Sequence, residues 1–290
     1  MPAWSIQKIW QNTKPVTQQI ETIQAIASAY DVVVFDQWGV LHNGTTPYPG
    51  AVAAIAGLSG KIAVLSNSGK RAAPNAARIT GMGFPADSFD FVMTSGEALW
   101  QDVNQRRINA RTLYPVERAD GDAADWAEGL DLTLVSDVRK ADAILMMGLP
   151  DGTQLADWAS RLKGWRARDL AMYCSNPDRQ SPRAGSTVVS PGALAHTYAA
   201  LGGRTYFYGK PHGPVFLALE EMFGPGRYLM VGDSMEHDIA GAQRAGWDSL
   251  LIEGGLYADR FAGGNGDAVV AEIAAEKQCD LPTYRMKELR

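Results

Sequence analysis

At 290 residues, with 46% hydrophobic and 20% charged side chains, the chain has ordinary globular usage, which excludes the disordered class and leaves room for one large core or, as expected here, two moderate ones. Twenty-seven basic against 32 acidic residues, a formal net charge of -5 and the lack of any strongly basic block exclude nucleic acid as a partner. Cys174 and Cys279 are too few for a disulfide framework or a zinc cluster, and with neither a signal-like amino terminus nor a stretch of about 18 apolar residues the chain is expected in the cytoplasm and off the membrane.

Residues 17–30 space their apolar side chains as a helix does, and Asp31 leads straight into Val32, Val33, Val34 and Phe35. A continuous β-branched run without alternation is the pattern of a parallel strand covered on both faces, and this one ends at Asp36. A second helix over 49–60, closed by Gly60, precedes the buried strand Ile62, Ala63, Val64, Leu65, which ends at Ser66. From about residue 98 to 187 the chain carries more charge, several tryptophans and one further apolar run at 143–147, the pattern of an inserted second domain. The strand pattern then returns twice, as Tyr206, Phe207, Tyr208 before Gly209-Lys210 and as Tyr228 to Val231 before Gly232-Asp233. Residues 253–267 are rich in glycine and read as a loop with a short helix. In an open parallel α/β sheet, ligands bind at the carboxyl ends of the strands, so these four polar-tipped strands are expected to meet at one site.

Taken singly, each tip has a plain explanation: Asp36 as a turn cap, Ser66-Asn67-Ser68 as a helix cap, Lys210 as a solvated lysine. Asp233 and Asp238, five apart around a turn, are more specific. In order and context, however, the four resemble the motifs of the haloacid dehalogenase (HAD) superfamily of hydrolases over nearly the whole chain. The long insertion between Ser66 and Lys210, Pro49-Gly50-Ala51, Ser175-Asn176-Pro177-Asp178 with Pro182 and Gly185, and Gly209-Lys210-Pro211 with Phe216 resemble the NagD-like, nitrophenylphosphatase-like branch, subclass IIA.

The resemblance implies an α/β fold, with a Rossmann-like parallel-sheet core at 1–97 and 188–290 and an inserted α/β cap domain at 98–187. It implies a phosphatase acting on a small-molecule phosphate ester, with Asp36 as the nucleophile that forms an aspartyl-phosphate. Mg2+ would be held by Asp36, the backbone carbonyl of Trp38 and Asp233, with Asp238 completing or orienting the shell. Ser66 and Asn67 would hold the phosphoryl oxygens, and Lys210 would neutralise them. Asn176 and Asp178 are candidates to face the substrate from the cap, with Arg179 and Arg183 in reach of an anionic group, and a homo-oligomer is left open.

One position departs from the family pattern. Its phosphatases carry a second Asp two residues after the nucleophile as general acid and base, and here Trp38 stands there. General acid–base help is worth about 100- to 10,000-fold in rate, so good leaving groups should suffer least. His42, as a solvent-facing turn residue, Glu236 and His237 are the nearby groups with a proton to offer. Two other readings follow from the departure: a slow phosphometabolite-binding protein, and a dehalogenase, against which the paired carboxylates at 233 and 238 argue. Trp100, Trp126, Trp158 and Trp165 are expected to pack the cap rather than stack on substrate.

Overall fold

The computed structural model describes residues 16–183 and 186–289, so the amino-terminal residues behind the compartment expectation and Gly185 lie outside it, as do the side chains of Pro182 and Arg183. In chain order, a short β1 (Gln18–Gln19) and one helical turn, α1 (Gln24–Ala27), lead into β2 (Val32–Phe35). There follow α2 (Ala51–Ala56), β3 (Lys61–Ser66), α3 (Ala72–Gly81), β4 (Phe91–Thr94) and α4 (Ser95–Asn104). The middle of the chain holds β5 (Thr112–Val116), α5 (Asp122–Ala127), β6 (Thr133–Leu134), β7 (Ala143–Met146), α6 (Leu155–Ala167) and β8 (Ala171–Cys174). Next come the hairpin β9 (Gln180–Arg183) and β10 (Ser186–Val189), α7 (Pro191–Ala200) and β11 (Thr205–Phe207). The chain ends with α8 (Gly213–Phe223), β12 (Tyr228–Gly232), a π-helical turn (Met235–Ile239), α9 (Ala240–Ala245), β13 (Asp248–Ile252), α10 (Ala258–Phe261), α11 (Gly266–Lys277) and β14 (Tyr284–Met286).

Seven strands form the first sheet in the order β1-β14-β13-β12-β2-β3-β4, all parallel. The chain runs outward from β2 to β4 and then restarts at β12 on the other side of β2. That reversal opens a crevice at the carboxyl ends of β2 and β12. Both strands are buried along their whole length, as their uninterrupted apolar runs require. The second sheet is also parallel, in the order β11-β8-β7-β5-β6.

Three expectations need correction. Residues 17–30 are not one helix: Ile20, Ile23, Ala27 and Tyr30 are buried at the expected spacing, but Gln18 and Gln19 pair with Tyr284 and Arg285 at the sheet edge. The strand before Lys210 does not belong to the core sheet. β11 pairs with β8, and Tyr206 is exposed and stacked on Tyr173 at 5.1 Å, so the run lies on an outer edge rather than between two covered faces. The expected domain limits also move. A boundary at 97/98 would cut α4, whose Ala98, Leu99 and Val103 pack in the same cluster as Val32 and Val34 of β2. A boundary at 187/188 would cut the β9–β10 hairpin, and α7 and β11 after it still belong to the second unit, which runs from β5 to β11.

Candidate active site

The first turn beyond β2 begins at Asp36, whose N–H donates to Val231 O on β12 at 2.9 Å. Gln37 O accepts from Leu41 N and His42 N, closing the loop, and Gly39 turns it with φ +79°. Beyond β12 the π-helical turn folds back so that Asp238 Oδ2 accepts from the backbone N–H of Asp233 (3.1 Å) and Ser234 (3.0 Å). Lys210 then enters the same pocket, 2% exposed, with Nζ 2.5 Å from Asp36 Oδ1 and 2.7 Å from Asp238 Oδ1. Asp233 completes the group, one carboxylate oxygen from each of Asp36, Asp233 and Asp238 lying within 4.8 Å of the others.

Three carboxylates face one ammonium here, and the titration of Asp36 and Asp233 shows the imbalance. Burial pushes Asp233 up to about 8, with the charges of Asp36 and Asp238 adding to it. Burial likewise lifts Asp36 to about 6, against the pull of Lys210. Burial works against the Lys210 ammonium, yet Asp238 and Asp36 hold its pKa above the ordinary lysine value. A hard divalent cation would relieve this excess negative charge, and carboxylate oxygens are the donors it prefers. Glycines let the backbone pass close enough to hold Asp233 in the group: a Cβ on Gly39 would lie 1.7 Å from Asp233 Oδ2, and one on Gly255 2.4 Å from the same atom. The residues present therefore fit Mg2+. Leu256 N donates to Asp233 Oδ2 at 2.8 Å, a contact that sequence reasoning missed; Gly254-Gly255 just before it is the signal that a backbone must pass close there.

Ser66, at the tip of β3, accepts from Ser68 N at 3.3 Å, so its hydroxyl proton remains free to donate. Asn67 is a different case, for its side chain is turned toward Lys210 and Asp178. Its Oδ1 accepts from Lys210 N at 2.7 Å, while Nδ2 donates to Lys210 O (3.1 Å) and to Asp178 Oδ1 (2.7 Å). Both side-chain amide protons are spent within the protein, so what Asn67 could still offer a phosphoryl oxygen is its backbone N–H. Asp178 belongs to the turn after β8, where Asn176 Oδ1 accepts from Asp178 N at 3.1 Å. Burial raises the Asp178 pKa, with His237, whose Nε2 is 4.0 Å from Asp178 Oδ1, opposing.

Trp38 points outward, 45% exposed, its ring against Gly44 and edge-on to His42 at 6.4 Å. His42 is fully buried rather than solvent-facing: its Nδ1 accepts from Gly44 N at 3.1 Å, and Nε2 lies 3.4 Å from Gln37 Oε1. Burial and the neighbouring Arg78 push it down to about 4, so it holds the turn as a neutral ring. Glu236 is taken up by the Tyr257 hydroxyl and by Lys277 at 2.7 Å. Trp126, Trp158 and Trp165 are buried, and Trp100 is covered by the Arg71 guanidinium at 3.9 Å.

A chamber of about 640 Å3 is lined by residues of the loop after β3 and by residues of the second unit. Ser68, Gly69 and Lys70 line it together with Asn176, Ser190 and Trp126. That volume lies within the range of sites that enclose small metabolites.

Two family models match the chain, a haloacid dehalogenase-like hydrolase model over residues 33–127 and a HAD-hydrolase-like model over residues 207–275. Among curated proteins it is similar to the D-glycerol 3-phosphate phosphatase of Mycobacterium tuberculosis, 28% identical over 92% of this chain and 72% of that one. It is also similar to rat (Rattus norvegicus) chronophin, 30% identical over 77% and 76%. Among solved structures, a haloacid dehalogenase-like hydrolase from Brucella suis superposes with a TM-score of 0.75 at 29% identity, covering 93% of this chain and all of that one. The magnesium complex of the glycerol phosphate phosphatase from Mycobacterium tuberculosis shares the fold, with a TM-score of 0.70 at 24% identity over 91% and 77%. No helix among the described residues is long and apolar enough to cross a membrane.

Proposed function

The chain belongs to the haloacid dehalogenase superfamily of hydrolases, in its NagD-like branch, as a phosphatase with Mg2+ as cofactor, and we propose that it cleaves small phosphate monoesters through an aspartyl-phosphate on Asp36. The observation that carries this reading is the Asp36–Lys210–Asp238 contact at the mouth of β2 and β12, with Asp233 beside it. The carboxylates of Asp36 and Asp233 and the backbone carbonyl of Trp38 would hold the ion, with Asp238 behind them. When bound, Mg2+ supplies positive charge for the incoming phosphate.

Lys210 donates to one oxygen of Asp36 and leaves the other free to attack. The carboxylate oxygen forms a bond to phosphorus as the ester oxygen leaves with the bonding pair, and water then cleaves the acyl phosphate to return Asp36 and release inorganic phosphate. Lys210 offsets the charge of the transferring group, and Ser66 donates its hydroxyl to a phosphoryl oxygen. The chamber lined by Ser68, Lys70 and Asn176 is the candidate space for the leaving group, with room for a body larger than glycerol. Excess negative charge at the cluster favours this chemistry over dehalogenation, which needs no cation.

Phosphate release from an aryl phosphate, with Mg2+ and with chelator, tests the reading. Asp36→Asn is expected to abolish Mg2+-dependent release while leaving Tm in place. Undiminished release by that variant would overturn Asp36 as nucleophile, and silence of the wild type with phosphate still bound would favour a binding protein.

A further inference from the structure

Lys210 reaches the cluster by an indirect route. It follows β11 of the second sheet by three residues, and Tyr208 N still donates to Cys174 O of that sheet at 2.8 Å. The catalytic ammonium is thus carried on the strand that returns from the cap, and any cap movement would drag it unless something anchors it to the core. Asn67 is that anchor by geometry: it grips the Lys210 peptide on both sides, accepting from its N–H at 2.7 Å and donating to its carbonyl at 3.1 Å. Its remaining proton goes to Asp178 Oδ1 at 2.7 Å, on the cap turn. Packing confirms how tight the junction is, for a Cβ on Gly209 would lie 2.8 Å from Asn67 Oδ1, 2.8 Å from Pro177 Cδ and 2.2 Å from Ser95 Oγ.

We propose that the side chains of Asn67 and Asp178 are positioning groups that fix Lys210 against the core and tie its placement to the seating of the cap turn 176–178. The proposal rests on the phosphatase reading for Lys210, and assigns to the Asn67 side chain a role other than phosphoryl binding. The Asp178 contact forms only when the cap turn sits on the core, so Asn67 is held in its gripping rotamer by cap closure itself. An Oδ1 turned the other way would set two oxygens against each other at Asp178, so the amide orientation is determined.

The test compares Asn67→Ala, Asp178→Ala and Asp178→Asn on an aryl phosphate with Mg2+, with inorganic phosphate as competitive inhibitor. Displacing a catalytic group by about 1 Å costs on the order of 100-fold, so Asn67→Ala should lower kcat by about that factor while the inhibition constant for phosphate changes by less than about threefold. Asp178→Ala should lower kcat less, and Asp178→Asn should recover part of that loss, because an amide oxygen still accepts from Asn67. The Asn67→Ala and Asp178→Ala losses should not multiply in the double variant, since the second contact acts through the first. Weakened phosphate inhibition in step with the loss of kcat would overturn the proposal and return Asn67 to the phosphoryl group; so would independent, multiplicative losses. Should Asn67→Ala fold poorly by circular dichroism, the Asp178 pair alone decides, equal losses in Ala and Asn being the refuting result. A wild type without Mg2+-dependent turnover would instead sink the phosphatase reading, separately from this one.

Discussion

Replacing Trp38 by Asp asks what the loop after the nucleophile lacks. Residues 36, 37 and 38 point in different directions: Asp36 into the cluster, Gln37 into the buried contact with His42 and Arg78, and Trp38 outward, 45% exposed. Of the three, Trp38 is the one whose side chain is most open to solvent. The packing at stake is a little over half of a ring that can bury about 150–250 Å2, or about 2–3 kcal/mol at about 25 cal/mol per Å2. For a chain of this size that corresponds to a Tm lower by about 5–10 °C. Against it stands general acid help of about 100- to 10,000-fold, or about 3–5 kcal/mol of barrier at about 1.4 kcal/mol per tenfold. An aryl leaving group departs as a stable anion and needs little of this, whereas an alkoxide needs most of it. Trp38→Asp should therefore raise kcat/KM for an alkyl phosphate far more than for an aryl phosphate, with Mg2+ saturating in both assays. An unchanged aryl-to-alkyl ratio in a variant that keeps its fold would mean that the proton comes from another group, and the reasoning about residue 38 would fall.

Gly39→Ala forces a side chain at φ +79° and puts a Cβ 1.7 Å from Asp233 Oδ2; the left-handed conformation costs about 1–2 kcal/mol, but activity and the Mg2+ response should be lost far beyond that, and normal Mg2+ titration by calorimetry would contradict the placement of the ion. The metal should also reshape the pH dependence of stability. Asp36 and Asp233, raised to about 6 and about 8 from 3.8, make the metal-free fold hold more protons than the unfolded chain, so their contribution falls as pH rises from about 4 to about 8. Mg2+ competes with those protons, so its increment in Tm should be larger at about pH 8 than at about pH 6, and equal increments would refute the assignment. Taking the difference between Mg2+ and chelator cancels the opposite contribution of His42, which is pushed down to about 4 and gains stability as pH rises.

Much of this arrangement was legible in the sequence because burial on both faces writes itself as an unbroken apolar run. β2 and β12 are such runs, each ending in an acidic residue, and both ends meet as expected. β11 was misread for the same reason: aromatic residues before a Gly-Lys pair look like a buried strand, but nothing local distinguishes a central strand from the outer edge of a different sheet. The short β1 was hidden because its partner, Tyr284, lies far along the chain, beyond any window that periodicity can scan. Asn67 shows a further limit. Residue type and position suit phosphate binding, whereas hydrogen-bond capacity, a matter of which neighbours have already used it, is visible only in three dimensions.

The misplaced strand bears on how such a site works. Were β11 part of the core sheet, Lys210 would be as firmly set as Asp36 and the cap would act only as a cover. Because the lysine instead sits on the return from the cap, the site is held together from two bodies, with Asp36, Asp233 and Asp238 on the core and the ammonium between core and cap. Removal of the ammonium would leave three buried carboxylates with no counter-charge among them, two of them already raised in pKa. A bound cation would supply the counter-charge that a single ammonium cannot, while the Asn67 grip holds Lys210 against the core.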